Sequence, residues 1–364
     1  VLKGQSSTTL EVTIPAVAGE NRLTAYAFNR DNVKSPNATV NLKGAEGLRR
    51  PGVAYILTIG VNVYQNPQYN LKYAVADAQD FAEEVRLQQQ KLSRYQRIEI
   101  ISLMDHEATK DNILAALKRL AGVTEELPQN APAALRQVRP AQPEDMVLIF
   151  YAGHGTAQGQ RFYLIPHDLG YQGERSRLDA RGLQTILERS ISDEEMEQVL
   201  EGLDASNLLM VIDACNSGQA LEAEEKRRGP MNSKGLAQLA YEKGMYILTA
   251  AQSYQAALES SEFGHGYLTY ALVEEGLKAT AADAAPKDNL VSIREWLDFA
   301  AERVPQLQEA KMTLRGINLQ AAPPAAADGG EKKHTVDAGA SDVQRPRVFY
   351  RREVEAQPLI VAKR

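Results

Sequence analysis

Leu208-Leu209-Met210-Val211-Ile212-Asp213-Ala214-Cys215-Asn216-Ser217-Gly218 is an apolar run that stops at an acid and carries a thiol into a polar turn. A short continuous apolar run bounded by turn residues reads as a strand buried on both faces of a sheet. A second run upstream, Met146-Val147-Leu148-Ile149-Phe150-Tyr151-Ala152, ends in the same way and delivers Gly153-His154-Gly155. In open α/β sheets the crevice beyond the carboxyl ends of the strands is where ligands bind. Two strands ending there would bring together the chain's single cysteine and a histidine remote from it in sequence, as a cysteine hydrolase needs.

Outward from these strands the pattern alternates between buried strands and amphipathic helices from about residue 50 to 320, which argues for a mainly parallel sheet covered on both faces. Ala54–Val61, Arg97–Leu103, Asp145–Tyr151, Asn207–Asp213 and Met245–Ala250 are the expected core strands, with a short strand at Phe162–Ile165. Helices are expected at Ala74–Gln89, Thr109–Leu120, Tyr267–Leu277 and Ile293–Val304, and capping boxes at Ser192–Glu195 and Ser292–Glu295. Residues 1–46 alternate with period two and read as a short β-rich segment, with strands at Leu10–Ile14, Arg22–Asn29 and Ala38–Leu42. Three strands are too few for an independent sandwich, so the segment reads as the end of an immunoglobulin-like module or as a docked ribbon. Residues 321–345 read as a disordered linker, and residues 346–364 as a strand-like tail that returns to a sheet edge.

With 44% hydrophobic and 24% charged residues the composition is that of a globular protein. A formal net charge of -6 argues against a nucleic-acid or anionic-membrane partner. No apolar run reaches the roughly 18–20 residues of a membrane span. One cysteine makes no internal disulfide, and no Cys/His cluster has zinc spacing. A reactive thiol suits a reducing compartment, so a cytoplasmic location is expected. The opening at Val1, inside a strand-like pattern, reads as a fragment or processed form whose targeting signals lie outside it.

Free cysteines are most often inert core thiols, but the rim position of Cys215 favours a reactive one, because neighbouring backbone N–H groups can stabilise a thiolate there. Gly-His-Gly occurs twice. His154 ends a buried strand, and its two glycines would let backbone approach a ligand closely. His265 follows polar residues and precedes an amphipathic helix, so it reads as a helix-entry residue, and His106, His167 and His334 read as solvated.

These residues resemble the caspase-like cysteine peptidases, most of all metacaspases and prokaryotic caspase-like proteins. Asp213-Ala214-Cys215-Asn216-Ser217-Gly218 is similar to their D-x-C-H-S-G run, and Tyr151-Ala152-Gly153-His154-Gly155 to their Y-S-G-H-G. Ile56-Leu57-Thr58-Ile59-Gly60-Val61-Asn62 and Leu71-Lys72-Tyr73-Ala74-Val75-Ala76-Asp77 resemble the family's first strand and the acidic element after it. The resemblance covers about residues 50–320. It implies a caspase-like α/β/α sandwich and a cysteine endopeptidase with Cys215 and His154 as catalytic dyad, and with the backbone N–H groups of Gly155 and Cys215 as oxyanion hole.

Asp213 lies two residues before Cys215, so in a strand both side chains point to one face. A carboxylate there would attract a cationic P1 side chain, Arg ahead of Lys for its bidentate fork. The resemblance implies Asp77 as a second acidic residue of the S1 pocket. The expected partners are therefore protein or peptide substrates with a basic P1 residue. Glu222-Ala223-Glu224-Glu225-Lys226-Arg227-Arg228 reads as a surface loop, with Lys226 and Arg227 as candidate self-cleavage sites. Some metacaspases need calcium, but Asp168 and Asp179 make no evident cluster, so no metal or other cofactor is expected. A silent caspase-like scaffold, an Asp-specific protease and an acyltransferase or small-amide hydrolase with the same dyad are the competing readings. Oligomeric state stays open.

Overall fold

The computed structural model describes residues 8–27, 29–30, 33–158, 161–216, 234–250, 259–260, 263–320, 344–350 and 358–364. For residues 215–216, 234–235, 238–239, 242, 259–260 and 311–320 it describes the backbone alone. The candidate self-cleavage sites Lys226 and Arg227 and most of the linker lie outside the described residues.

Two antiparallel strands, β1 (Gly19–Ala25) and β2 (Ala38–Gly44), come first and pair only with each other. Leu10–Ile14, expected as a strand, is not one. Leu10, Val12 and Ile14 are 81%, 75% and 52% exposed. Alternation alone does not make a strand when no edge or apolar surface is at hand to receive it.

The central sheet holds β3 (Val53–Gly60), β4 (Arg97–Met104), β5 (Met146–Gln158), β6 (Arg161–Ile165), β7 (Ile191–Ser192), β8 (Asn207–Asn216), β9 (Tyr246–Thr249) and, late in the chain, Arg347–Phe349. From one edge the main path runs β4, β3, β5, β8, β9, all parallel, and closes with Arg347–Phe349 antiparallel on β9. β5 continues past the sheet's rim as a hairpin with β6. Every residue of β3 is buried, which is what a strand covered on both faces requires.

Alternate side chains of the strands feed two cores. One holds Leu57, Ile149, Tyr151, Met210 and Ile212 under the helices α2 (Lys110–Leu120), α3 (Ala180–Arg189), α4 (Asp193–Leu200) and α5 (Lys234–Lys243). The other holds Ile56, Leu148, Phe150, Leu209 and Val211 under α1 (Ala74–Leu92), α6 (Tyr267–Tyr270, continuing in wider π-type turns over Ala271–Lys278) and α7 (Ile293–Gln320). This is the expected α/β/α sandwich. The capping boxes expected at Ser192–Glu195 and Ser292–Glu295 are both formed.

Helix α7 does not stop before Pro305 as expected. Trp296, Leu297, Ala300, Val304 and Gln308 form one buried stripe that carries the helix through the proline. Trp296 stacks on Phe81 of α1, which stacks in turn on Phe150 of β5, with centroid separations of 5.7 and 4.2 Å. That aromatic column holds α1 against the sheet. Phe81 lies one helical turn beyond Asp77, so the same contact faces Asp77 inward.

Short pairs complete the fold. Glu259–Ser260 (β10) pairs with His265–Gly266 (β11), and Leu290–Ser292 (β12) pairs with Ile360–Lys363.

Candidate active site

At the carboxyl end of the sheet β5 and β8 run side by side in parallel register. His154 is paired with Cys215, Ala152 with Asp213 and Gly155 with Asn216. The backbone thus sets the sequence-predicted nucleophile and base on adjacent strands at one level. Asp213 and Cys215 hold alternate positions of β8, on the same parity as Leu209 and Val211 of the core beneath α1.

His154 is held from every side. Its backbone N–H donates to the Tyr64 hydroxyl at 2.7 Å. The Tyr151 hydroxyl sits between the His154 and Ile165 carbonyls, at 2.9 and 2.6 Å. Nε2 lies 2.7 Å from the carbonyl oxygen of Tyr69. A carbonyl only accepts, so Nε2 carries the proton and Nδ1 carries the lone pair. Nδ1 is buried and has no partner among the described residues. Burial, with a smaller push from Arg175, lowers the pKa of His154 to about 4 against the opposing bond to Tyr69. At neutral pH this imidazole is an uncharged base with its free lone pair pointing away from Tyr69.

The glycines around it are also required by packing. A Cβ at Gly153 would meet the Tyr151 and Tyr64 hydroxyls at 2.8 and 3.0 Å, and one at Gly155 would meet Phe162 at 2.9 Å and Ala214 at 3.2 Å.

The loop carrying Tyr64 and Tyr69 is tied down by residues that the motif reading passed over. Asp105, at the end of β4, accepts the backbone N–H groups of Asn62 and Val63 at 2.8 Å each. Asn62 reaches across to accept from Val75 at 3.2 Å and to donate to Lys72 at 3.2 Å, joining the end of β3 to the start of α1. His167, expected to be solvated, has Nδ1 2.6 Å from the Val63 carbonyl. A backbone carbonyl such as that of Tyr69 leaves no trace in side-chain identity, so no sequence signal could have singled it out.

On the other side of β8 two acids converge. Asp213 accepts from the Thr269 hydroxyl at 2.7 Å and its N–H at 3.2 Å. Asp77 accepts from the Gly266 N–H at 3.2 Å and lies 2.8 Å from Nδ1 of His265. A Cβ placed on Gly266 would stand 3.0 Å from Asp213 Oδ2 and 3.2 Å from Asp77 Oδ2. The bare backbone of Gly266 therefore packs directly against both carboxylates, each nearly fully buried. Burial and the Asp77 charge push the pKa of Asp213 up to about 7, opposed by Thr269 and His265. His265, expected at the entry of a helix, lies in β11 two residues before α6 and is a buried partner of Asp77 and Asp80. Nothing in its flanking residues signals that role, because both acids come from a helix far upstream.

Asp168 accepts the Lys110 N–H and Asp179 caps α3 through the Gly182 N–H. Among the described residues no group of three or more His, Cys, Asp or Glu side chains could hold a metal ion. No described helix is long and apolar enough to cross a membrane.

The sequence profile of the caspase domain family, peptidase C14, matches residues 53–316. Solved structures with similar chains include protein GSU0716 from Geobacter sulfurreducens, at 14% identity over 84% of this chain and 95% of that one, with a TM-score of 0.46. Another is pro-sf-caspase-1, at 13% identity over 86% and 94%, with a TM-score of 0.36. No curated protein shows significant similarity.

Proposed function

Because this chain belongs to the caspase-domain peptidase family, we propose that it is a cysteine endopeptidase that cuts proteins after Arg or Lys. The observation that carries the reading is the pair of buried acids that meets at Gly266, Asp77 and Asp213, the latter two residues before Cys215 on the strand beside His154. Together they would wall the recess for the P1 side chain. A guanidinium or ammonium entering it would neutralise two buried acids and draw the Asp213 proton off, an interaction that an acidic or apolar side chain forfeits.

In this reading His154 Nδ1 accepts the thiol proton, the Cys215 sulfur attacks the scissile carbonyl, and the imidazolium returns the proton to the leaving amine. Tyr69 supplies the carbonyl that fixes the tautomer, a backbone addition to the dyad. The Gly155 and Cys215 N–H groups face the developing oxyanion, each worth on the order of 10²–10³ in rate. Basic segments of other proteins are the substrates, and the stretch containing Lys226 and Arg227 is one within the chain itself.

Fluorogenic peptides differing only at P1, assayed on wild type and Cys215→Ala, test this. Turnover is expected with Arg and Lys and absent in the variant. Preference for Asp at P1 would replace the specificity reading. Silence with every peptide would favour a scaffold. Mass spectrometry of both proteins should find a cut after Lys226 or Arg227 in the wild type alone.

A further inference from the structure

A titratable base lies against the acid pair. His265 is buried, with Nδ1 2.8 Å from Asp77 Oδ1 and Nε2 3.3 Å from Asp80 Oδ2. Ionised carboxylates only accept, and a neutral imidazole carries one N–H, so it can serve one of these acids and not both. The doubly protonated ring serves both. Among the described residues the charged groups facing the ring pull the same way. Asp77 and Asp80 come from α1 and Asp213 from β8. Glu274 comes from the π-type turns after α6 and is itself paired with Lys278.

We propose that His265 is a specificity-determining residue of the basic-side-chain recess: a resident imidazolium that holds Asp77 and competes with the incoming cation. The inference rests on the reading of the recess as the P1 pocket and deepens it. With His265 charged, Asp77 is committed to the ring, and an arriving guanidinium finds Asp213 alone. When His265 loses its Nε2 proton on the half-exposed Asp80 side, its Nδ1–H still donates to Asp77, but the competing charge is gone and the cation binds more tightly. Linkage requires the reverse as well, so a bound cation lowers the affinity of His265 for its proton. Consistent with this, Asp77 foremost, then Asp80 and Glu274, hold His265 above the ordinary imidazole range against its burial.

Agmatine, an alkyl guanidinium with no scissile bond, is the probe. Its affinity for wild type, His265→Asn and His265→Lys is measured by calorimetry at pH 6 and pH 9. Asparagine keeps one donor toward Asp77 without charge, whereas lysine fixes the charge. Wild type should match His265→Lys at pH 6, binding about tenfold more weakly than His265→Asn, and should converge on His265→Asn at pH 9. Because the His265 charge also shifts the titration of Asp213, the same ratios are measured in an Asp213→Asn background, where that titration is absent. A merely structural role would shift affinity by the same factor at both pH values, and that result would overturn the proposal. Should the variants misfold, ¹⁵N spectra of wild-type His265 decide it. Two ring N–H groups are expected at pH 6, with a midpoint that falls by about one pH unit on saturation with agmatine. A single N–H at pH 6, or a midpoint indifferent to bound agmatine, sinks the inference. Failure of agmatine to bind any form at either pH instead overturns the basic-recess reading beneath it.

Discussion

His154 and His265 each stand between two glycines, each is buried, and each is fixed by a short contact to one ring nitrogen. Their charges are nevertheless set in opposite directions. His154 meets a backbone carbonyl and tyrosine rings, with Tyr64 at 5.0 Å and Tyr69 at 6.3 Å between centroids, and no acid among the described residues shifts it. Burial then wins and keeps the ring neutral. His265 meets Asp77 and Asp80, and the acids win over burial. Burial by itself therefore predicts neither charge state nor role. The identity of the groups that replace water decides both.

The contrast breaks most visibly in turnover. His154→Ala should lower kcat by on the order of 10⁴–10⁶. Substitution at His265 should act through KM for basic substrates, so steady-state kinetics on an Arg peptide separate the two. A His154→Ala enzyme retaining a tenth of wild-type kcat would remove His154 from the chemistry.

Asp213 sharpens the comparison from the side of the acid. Asp213→Asn should cost on the order of 10²–10³ in kcat/KM for Arg peptides, since it leaves the bound cation facing one carboxylate fewer. The same substitution should raise Tm at pH 8. The sign follows from linkage: a folded pKa of about 7, above the ordinary 3.8, means that burial disfavours the ionised form. The stability it allows is present at acid pH and lost as pH rises through about 7. A thermal scan of wild type and variant at pH 4 and pH 8 should show a gap only at the higher value. An unchanged Tm at pH 8 would mean that solvent or a counter-ion reaches the carboxylate.

The two imidazoles themselves should titrate on opposite sides of their ordinary value. His154 is expected to stay neutral until the pH nears 4, and folding stability should decline as the pH falls from about 6.5 toward that point, because the unfolded chain takes up the proton first. His265 should stay charged above that ordinary value, contributing stability that fades as pH rises through its folded pKa. ¹⁵N-histidine spectra across pH 4–9 check both, and coincident midpoints would erase the distinction.

The smallest effect is expected at Tyr64→Phe. It removes the acceptor of the buried His154 N–H while leaving the ring contact, at a cost of about 1–3 kcal/mol in a denaturant melt.

Much of this architecture was legible in the sequence because the signals are local. Buried strands such as Val53–Gly60 announce themselves by continuous apolar runs, and the capping boxes by a serine three residues before a glutamate. The misreadings share a cause. Leu10–Ile14 has strand alternation but no partner, and α7 crosses Pro305 because a buried stripe outweighs one missing hydrogen bond. In each case the deciding contact is remote from the residues being read.

The same division runs through the site. That a thiol and an imidazole each stand at the end of a buried apolar run is readable from the chain, because a strand's length and terminus are written in its own hydrophobic pattern. That the two strands lie side by side is a tertiary fact. Tertiary structure alone decided that Tyr69 orients the imidazole, that Asp77 and Asp213 share the space a methyl on Gly266 would fill, and that His265 sits among acids. Those are through-space relations between α1, β8 and α6, and electrostatic energy depends on distances that no single stretch of chain records.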